Sequence, residues 1–152
     1  MKRLASVLSL LLVGNLGCKK AEPPPPPPPP TTVPATTLPA PLTVTTLTLG
    51  NAIGADKRVT APMEAFGPKD TIYASVETTG AGRGKVRALW TFVKGQKTAK
   101  VDETTIELDA TAPTTNEFHV SKPGGWPKGE YRIEVFLGEA GTPALTKTFK
   151  VG

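Results

Sequence analysis

The 152-residue sequence contains one cysteine, Cys18, and one histidine, His119. No disulfide can close within the chain, so its folded part must rest on hydrophobic packing. A zinc centre needs several His, Cys or carboxylate ligands at suitable spacing, and this composition supplies too few; no metal is expected. There is no amphipathic helical stretch of useful length and no apolar run near the roughly 20 residues that cross a bilayer as a helix. Nor does the sequence offer the nucleophile, base and orienting group that a hydrolase or transferase brings together, so no catalytic residue and no cofactor is expected. Charge of one sign is also scarce. The 18 basic and 13 acidic residues leave +5, too small an excess for a phosphate-displacing surface, which argues against nucleic acid as a partner.

Proline is the exception to this economy. Most of the 17 prolines fall between Pro23 and Pro41, and strong hydrophobic alternation begins only after them. Three segments follow from that division: 1–17, 18–41 and 42–152. The first reads MKRLASVLSLLLVGNLG, with positive charge at Lys2 and Arg3, an apolar run from Leu4 to Val13, and the small residues Gly14 and Gly17. This is the layout of a secretory signal peptide. Its removal takes two positive charges and leaves 16 basic and 13 acidic residues, or +3.

Asn15-Leu16-Gly17-Cys18 at the end of the apolar run resembles the lipobox of bacterial lipoproteins. Gly17 and Cys18 match the pattern; Asn15 stands where an apolar residue is usual, and Leu16 is bulky for its place. The resemblance implies a diacylglyceryl thioether on Cys18, cleavage before it, and a membrane as partner through that lipid. Each buried methylene contributes about 0.8 kcal/mol, and two chains suffice for stable attachment. Lys19, rather than aspartate, follows the cysteine; by the enteric sorting rule the resemblance implies an outer-membrane location in the cell envelope, on a periplasmic or surface face.

Pro23 to Pro30 is an unbroken run, extended by TTVPATTLPAP to Pro41. Consecutive prolines fix φ and donate no amide proton, which predicts a disordered, core-free linker of polyproline II character. At ~3.1 Å per residue, about 20 residues reach some 60 Å. A spacer is the plain reading. Threonine-borne sugar at Thr31, Thr32, Thr36 or Thr37, or docking into an aromatic groove, are the alternatives.

From Leu42 onward short period-two runs alternate with Gly, Pro, Asn and Asp clusters, which predicts an all-β domain. Strands are expected at Leu42 to Leu49, Thr71 to Thr78, Lys85 to Val93, Thr98 to Asp109 (one long or two short), Glu117 to Ser121, Tyr131 to Leu137 and Leu145 to Val151. Gly80 to Gly84 is expected to turn the chain. Residues 51–70 are hard to read, with Lys57 to Thr60 as a candidate edge strand. About seven strands in this length fit an antiparallel β-sandwich of immunoglobulin or fibronectin type. The resemblance implies a buried tryptophan at Trp90 and a tyrosine corner at Tyr131, without the cysteine pair of antibody domains.

Candidate sites are few. Arg83, Lys85 and Arg87 alternate on one strand face, with Lys94, Lys97 and Lys100 around the next turn; they are either a basic patch for an anionic envelope polymer or lipid head group, or a solvated outer face. Trp126, in Gly124-Gly125-Trp126-Pro127, is either an exposed binding anchor or a cap on the open end of the sandwich. Glu107 and Asp109, with Asp102 and Glu103 upstream, read as a solvated acidic face more readily than as a calcium site. His119 reads as a solvent-facing strand residue. The expected function is a lipid-anchored, non-catalytic binding or assembly domain, with another envelope protein or an anionic polymer as partner. An accessory subunit of a secretion or appendage machine, or a small enzyme with an unrecognised site, are the alternatives.

Overall fold

The computed structural model describes residues 40–152, which form eight β-strands and no helix. The expected signal segment, Cys18 and the expected linker before Ala40 lie outside the described residues. In chain order the strands are β1 (Thr43–Gly50), β2 (Ala65–Phe66), β3 (Ile72–Thr79), β4 (Gly82–Lys94), β5 (Lys97–Ala110), β6 (Thr114–Val120), β7 (Gly129–Leu137) and β8 (Leu145–Val151).

They make two sheets, one ordered β1-β3-β6 and the other β2-β8-β7-β4-β5. Every pair is antiparallel except β2 with β8. The first, second and fifth long strands form one sheet and the other four long strands its partner, which is the strand division of an immunoglobulin-like sandwich.

Alternation explains which side of each strand is buried. Ile72, Ala74 and Val76 of β3 are wholly buried, as are Ile133 and Val135 of β7. Leu49 and Phe118 join them from the small sheet; Val86, Trp90 and Phe149 face them from the large one. Each such large apolar side chain contributes about 1.5–3 kcal/mol by leaving water. Aromatic geometry adds to this: Tyr131 stacks on Phe149 with centroids 5.3 Å apart, and Trp90 meets Phe149 edge-on at 5.9 Å. Trp90 is 1% exposed, and the Tyr131 hydroxyl donates to the Pro127 carbonyl at 2.7 Å, the hydrogen bond of a tyrosine corner.

Three local expectations change. The glycine-rich turn shrinks to Gly80–Ala81, because Gly82 and Gly84 already pair with Ala110 and Leu108 of β5. Gly84 serves close packing, since a Cβ there would lie 2.8 Å from Leu42 Cδ2. The β5 segment is one strand, bent where Trp90 faces Asp102 but Thr91 faces Lys100, so that Val101 is the extra residue of a bulge. Finally, Lys57 to Thr60 yields only the bridge Ile53↔Val59. The segment folds onto β3 instead, where Ser75 Oγ accepts from Val59 N and donates to the Lys57 carbonyl, both at 2.7 Å. The added strand is β2, whose Phe66 is buried against Phe149.

Strand ends gather at two poles. One carries the β3–β4, β5–β6 and β7–β8 turns together with the entry of the chain, where Ala81 N donates to the Ala40 carbonyl at 2.9 Å. The opposite pole carries the end of β1, the Gly95–Gln96 turn and the segment between β6 and β7.

Candidate functional site

Trp126 sits at the second pole and is 3% exposed. Its backbone N donates to the Pro68 carbonyl at 2.7 Å and its Nε1 to the Asp70 carbonyl at 2.8 Å. Its ring meets Tyr131 edge-on at 5.2 Å. The indole therefore closes the end of the sandwich and clasps the β2–β3 connection to the β6–β7 connection. An exposed tryptophan anchor is not present here, because both polar and apolar parts of the side chain are satisfied inside. Burial pushes the Tyr131 phenol above its ordinary value.

Arg83, Lys85 and Arg87 do lie together on the outer face of β4, but β5 brings an acidic partner to each. Arg83 Nε donates to Asp109 Oδ2 at 3.1 Å, Lys85 Nζ lies 3.6 Å from Glu107 Oε1, and Arg87 Nη1 donates to Glu103 Oε1 at 2.7 Å. Lys100 Nζ reaches the other oxygen of Glu103 at 3.1 Å. Hydrogen bonds from Arg87 first, and Lys100 second, hold the Glu103 carboxyl below its ordinary value. The Arg87 guanidinium also lies 4.1 Å from the Phe136 ring centroid, covering an aromatic residue on the sheet's outer side. On this face, read from sequence as either a basic patch or a solvated outer face, the three cations stand in a cross-strand ladder of opposite charges. Their long-range positive field is largely cancelled, and exposed pairs of this kind add little to stability because water and salt screen them.

The same register accounts for Glu107 and Asp109, which meet cations rather than one another. Among the described residues no group of three or more His, Cys, Asp and Glu side chains is placed to hold a metal ion. His119 is exposed on β6, with Nδ1 2.8 Å from Glu117 Oε1 and its ring 5.6 Å from that of Tyr73.

What sequence spacing missed is a second set of cations. Lys69, Lys122 and Lys128 share the Trp126 pole with Lys94 and Lys97, although three separate connections supply them. No sequence signal links them; only the topology does.

No protein-family profile matches the sequence, and no curated protein does. Solved structures resemble it weakly. An immunoglobulin-like protein from Pseudomonas aeruginosa is 14% identical, with a TM-score of 0.48, over 74% of this chain and 98% of that one. A β-glucosidase from Erythrobacter marinus is 10% identical, also at 0.48, over 73% of this chain but 15% of the enzyme. An alkylpurine DNA glycosylase from Pseudomonas fluorescens is 14% identical at 0.44, over 72% of this chain and 30% of that one. The chain therefore spans only a small part of these enzymes. The assignment rests on strand order, Trp90 and the tyrosine corner: the described residues are an immunoglobulin-like β-sandwich domain.

Proposed function

We propose that this chain is a lipid-anchored protein of the bacterial cell envelope, in which a proline-rich tether holds a small non-catalytic sandwich domain for binding or assembly. The observation that carries the reading is the position of the only cysteine, Cys18, at the end of a charged, apolar and small-residue leader. The order of parts supports it. A proline-rich stretch without core-forming alternation separates that cysteine from a domain whose described core draws on residues from Leu42 onward.

The test is metabolic labelling with a clickable palmitate analogue in cells expressing the full chain. Label is expected on the native protein and absent from Cys18→Ala, which should also leave the membrane fraction. Label that survives the substitution would overturn the reading. Crosslinking in intact cells then identifies which envelope component the domain meets.

A further inference from the structure

The described lysines and arginines divide by partner. Outside the Trp126 pole, each of them except Lys57 lies within salt-bridging distance of a carboxylate. Lys69, Lys94, Lys97, Lys122 and Lys128 have no such partner among the described residues, and all five belong to this one pole. Lys94 and Lys97 face each other across the Gly95–Gln96 turn, and Lys128 immediately precedes Gly129, where β7 starts beside the end of β4. Lys69 and Lys122 flank the Trp126 clasp: Lys122 Nζ is 5.9 Å from the indole centroid, and Lys69 Nζ lies 3.6 Å from where a Cβ on Gly125 would sit. The one carboxylate side chain in these connections, Asp70, accepts the Gly67 amide on Oδ2 at 2.8 Å and makes no salt bridge with these lysines.

Ammonium groups gathered without counter-charge repel one another over a Debye length of roughly 8–10 Å. Elsewhere on this domain every described lysine but Lys57 is paired. We propose that the lysine pole docks an acidic polysaccharide, a flexible hydrophilic chain bearing repeated carboxylates. Three features select that occupant. Every cation is lysine, a point charge on a mobile stem that accepts anions in any orientation, rather than arginine with its fixed fork. The single aromatic side chain in these connections, Trp126, is buried, so the lysine-bearing connections themselves offer no stacking platform for bases and no apolar wedge for a bilayer. Resting on the envelope reading above, the domain meets polymers of this chemistry, and the described chain enters it at the other pole, where Ala81 N donates to the Ala40 carbonyl, so Ala40 lies away from the lysines.

The full chain, held in nanodiscs of zwitterionic phosphatidylcholine, is to be titrated with a polygalacturonate oligomer at rising salt. Binding is expected to weaken as salt rises, since it depends on displaced counterions. It should fall about tenfold or more in the quadruple variant Lys69→Gln, Lys94→Gln, Lys97→Gln, Lys128→Gln, given that each lysine near an anionic surface contributes appreciably. The paired-face variant Arg83→Gln, Lys85→Gln should bind as the native chain does, with melting curves confirming that both variants fold. Absence of polygalacturonate binding, equal losses in the two variants, or tighter binding to phosphatidylglycerol vesicles or duplex DNA would each overturn the proposal. Failure to enter nanodiscs, by contrast, tells against the anchor alone, because the lysine dependence is then read on the same chain in solution.

Discussion

Tyr131 carries two separate contributions at one position. Its ring is stacked in the core, and its hydroxyl satisfies the Pro127 carbonyl four residues earlier. Tyr131→Phe keeps the ring and removes the donor, so it should cost about 0.5–1.5 kcal/mol in urea unfolding, the usual net contribution of one intramolecular hydrogen bond. Ionisation does the same reversibly. Because burial raises the phenol's folded-state pKa above 10.0, its contribution is fully present below the unfolded value and is lost as pH climbs through 10 towards the folded one. The native domain is therefore expected to lose stability above pH 10 more steeply than Tyr131→Phe, checked by thermal melts alongside phenolate absorbance. Equal slopes would remove Tyr131 from the account. Its neighbour Trp126 shows what a sequence hides at this scale. A tryptophan between two glycines and a proline reads as a turn residue, and so it is, but its partners Pro68 and Asp70 lie more than fifty positions away in the chain. Whether an indole in a turn is wet or dry depends on that distant segment.

At the scale of elements, alternation was the legible signal, and it located every long strand to within a few residues. It failed where a residue's role depends on what crosses it. The run from Gly80 to Gly84 reads as one flexible turn from composition, yet its glycines have different tasks. Gly82 and Gly84 extend β4, with Gly84 making room for Leu42, whereas Gly80 has φ +91° and no space for a Cβ beside the Pro41 carbonyl. Gly80→Ala should therefore cost about 1–3 kcal/mol through backbone strain alone. It should also release the chain entry. Hydrogen exchange at the Ala81 amide, which donates to Ala40, is expected to accelerate well beyond that of amides in the centre of β4. Uniform acceleration across the domain would mean global destabilisation instead of local release. The β2 strand was illegible for a related reason: two residues have no periodicity, and Ala65–Phe66 is a strand only because β8 offers an edge.

For the whole molecule, charge was readable as a total but not as a pattern. Arg83 and Asp109 are 26 residues apart, and nothing before the register is known says that the β4 cations meet the β5 anions one by one. The lysine pole is the remainder left after that pairing, so it too emerges only with topology. The core behaves differently, because both sheets contribute to it and neither can be buried without the other: Leu49, Ile72 and Phe118 on one side have Trp90, Ile133 and Phe149 on the other as their cover. Residues 40–152 should consequently unfold as one unit. The two tryptophans make this testable, since Trp90 reports the middle of the large sheet and Trp126 the clasped pole, and both are buried. Trp90→Phe and Trp126→Phe variants, each with one remaining indole, should give denaturant midpoints by fluorescence that coincide with the midpoint of the same variant by far-ultraviolet dichroism. If the Trp126 signal instead changes at lower denaturant than the dichroism, the pole opens before the sandwich does. The clasp would then be a separate, weaker unit, and the lysines around it would be carried on a movable lid and not on a fixed surface.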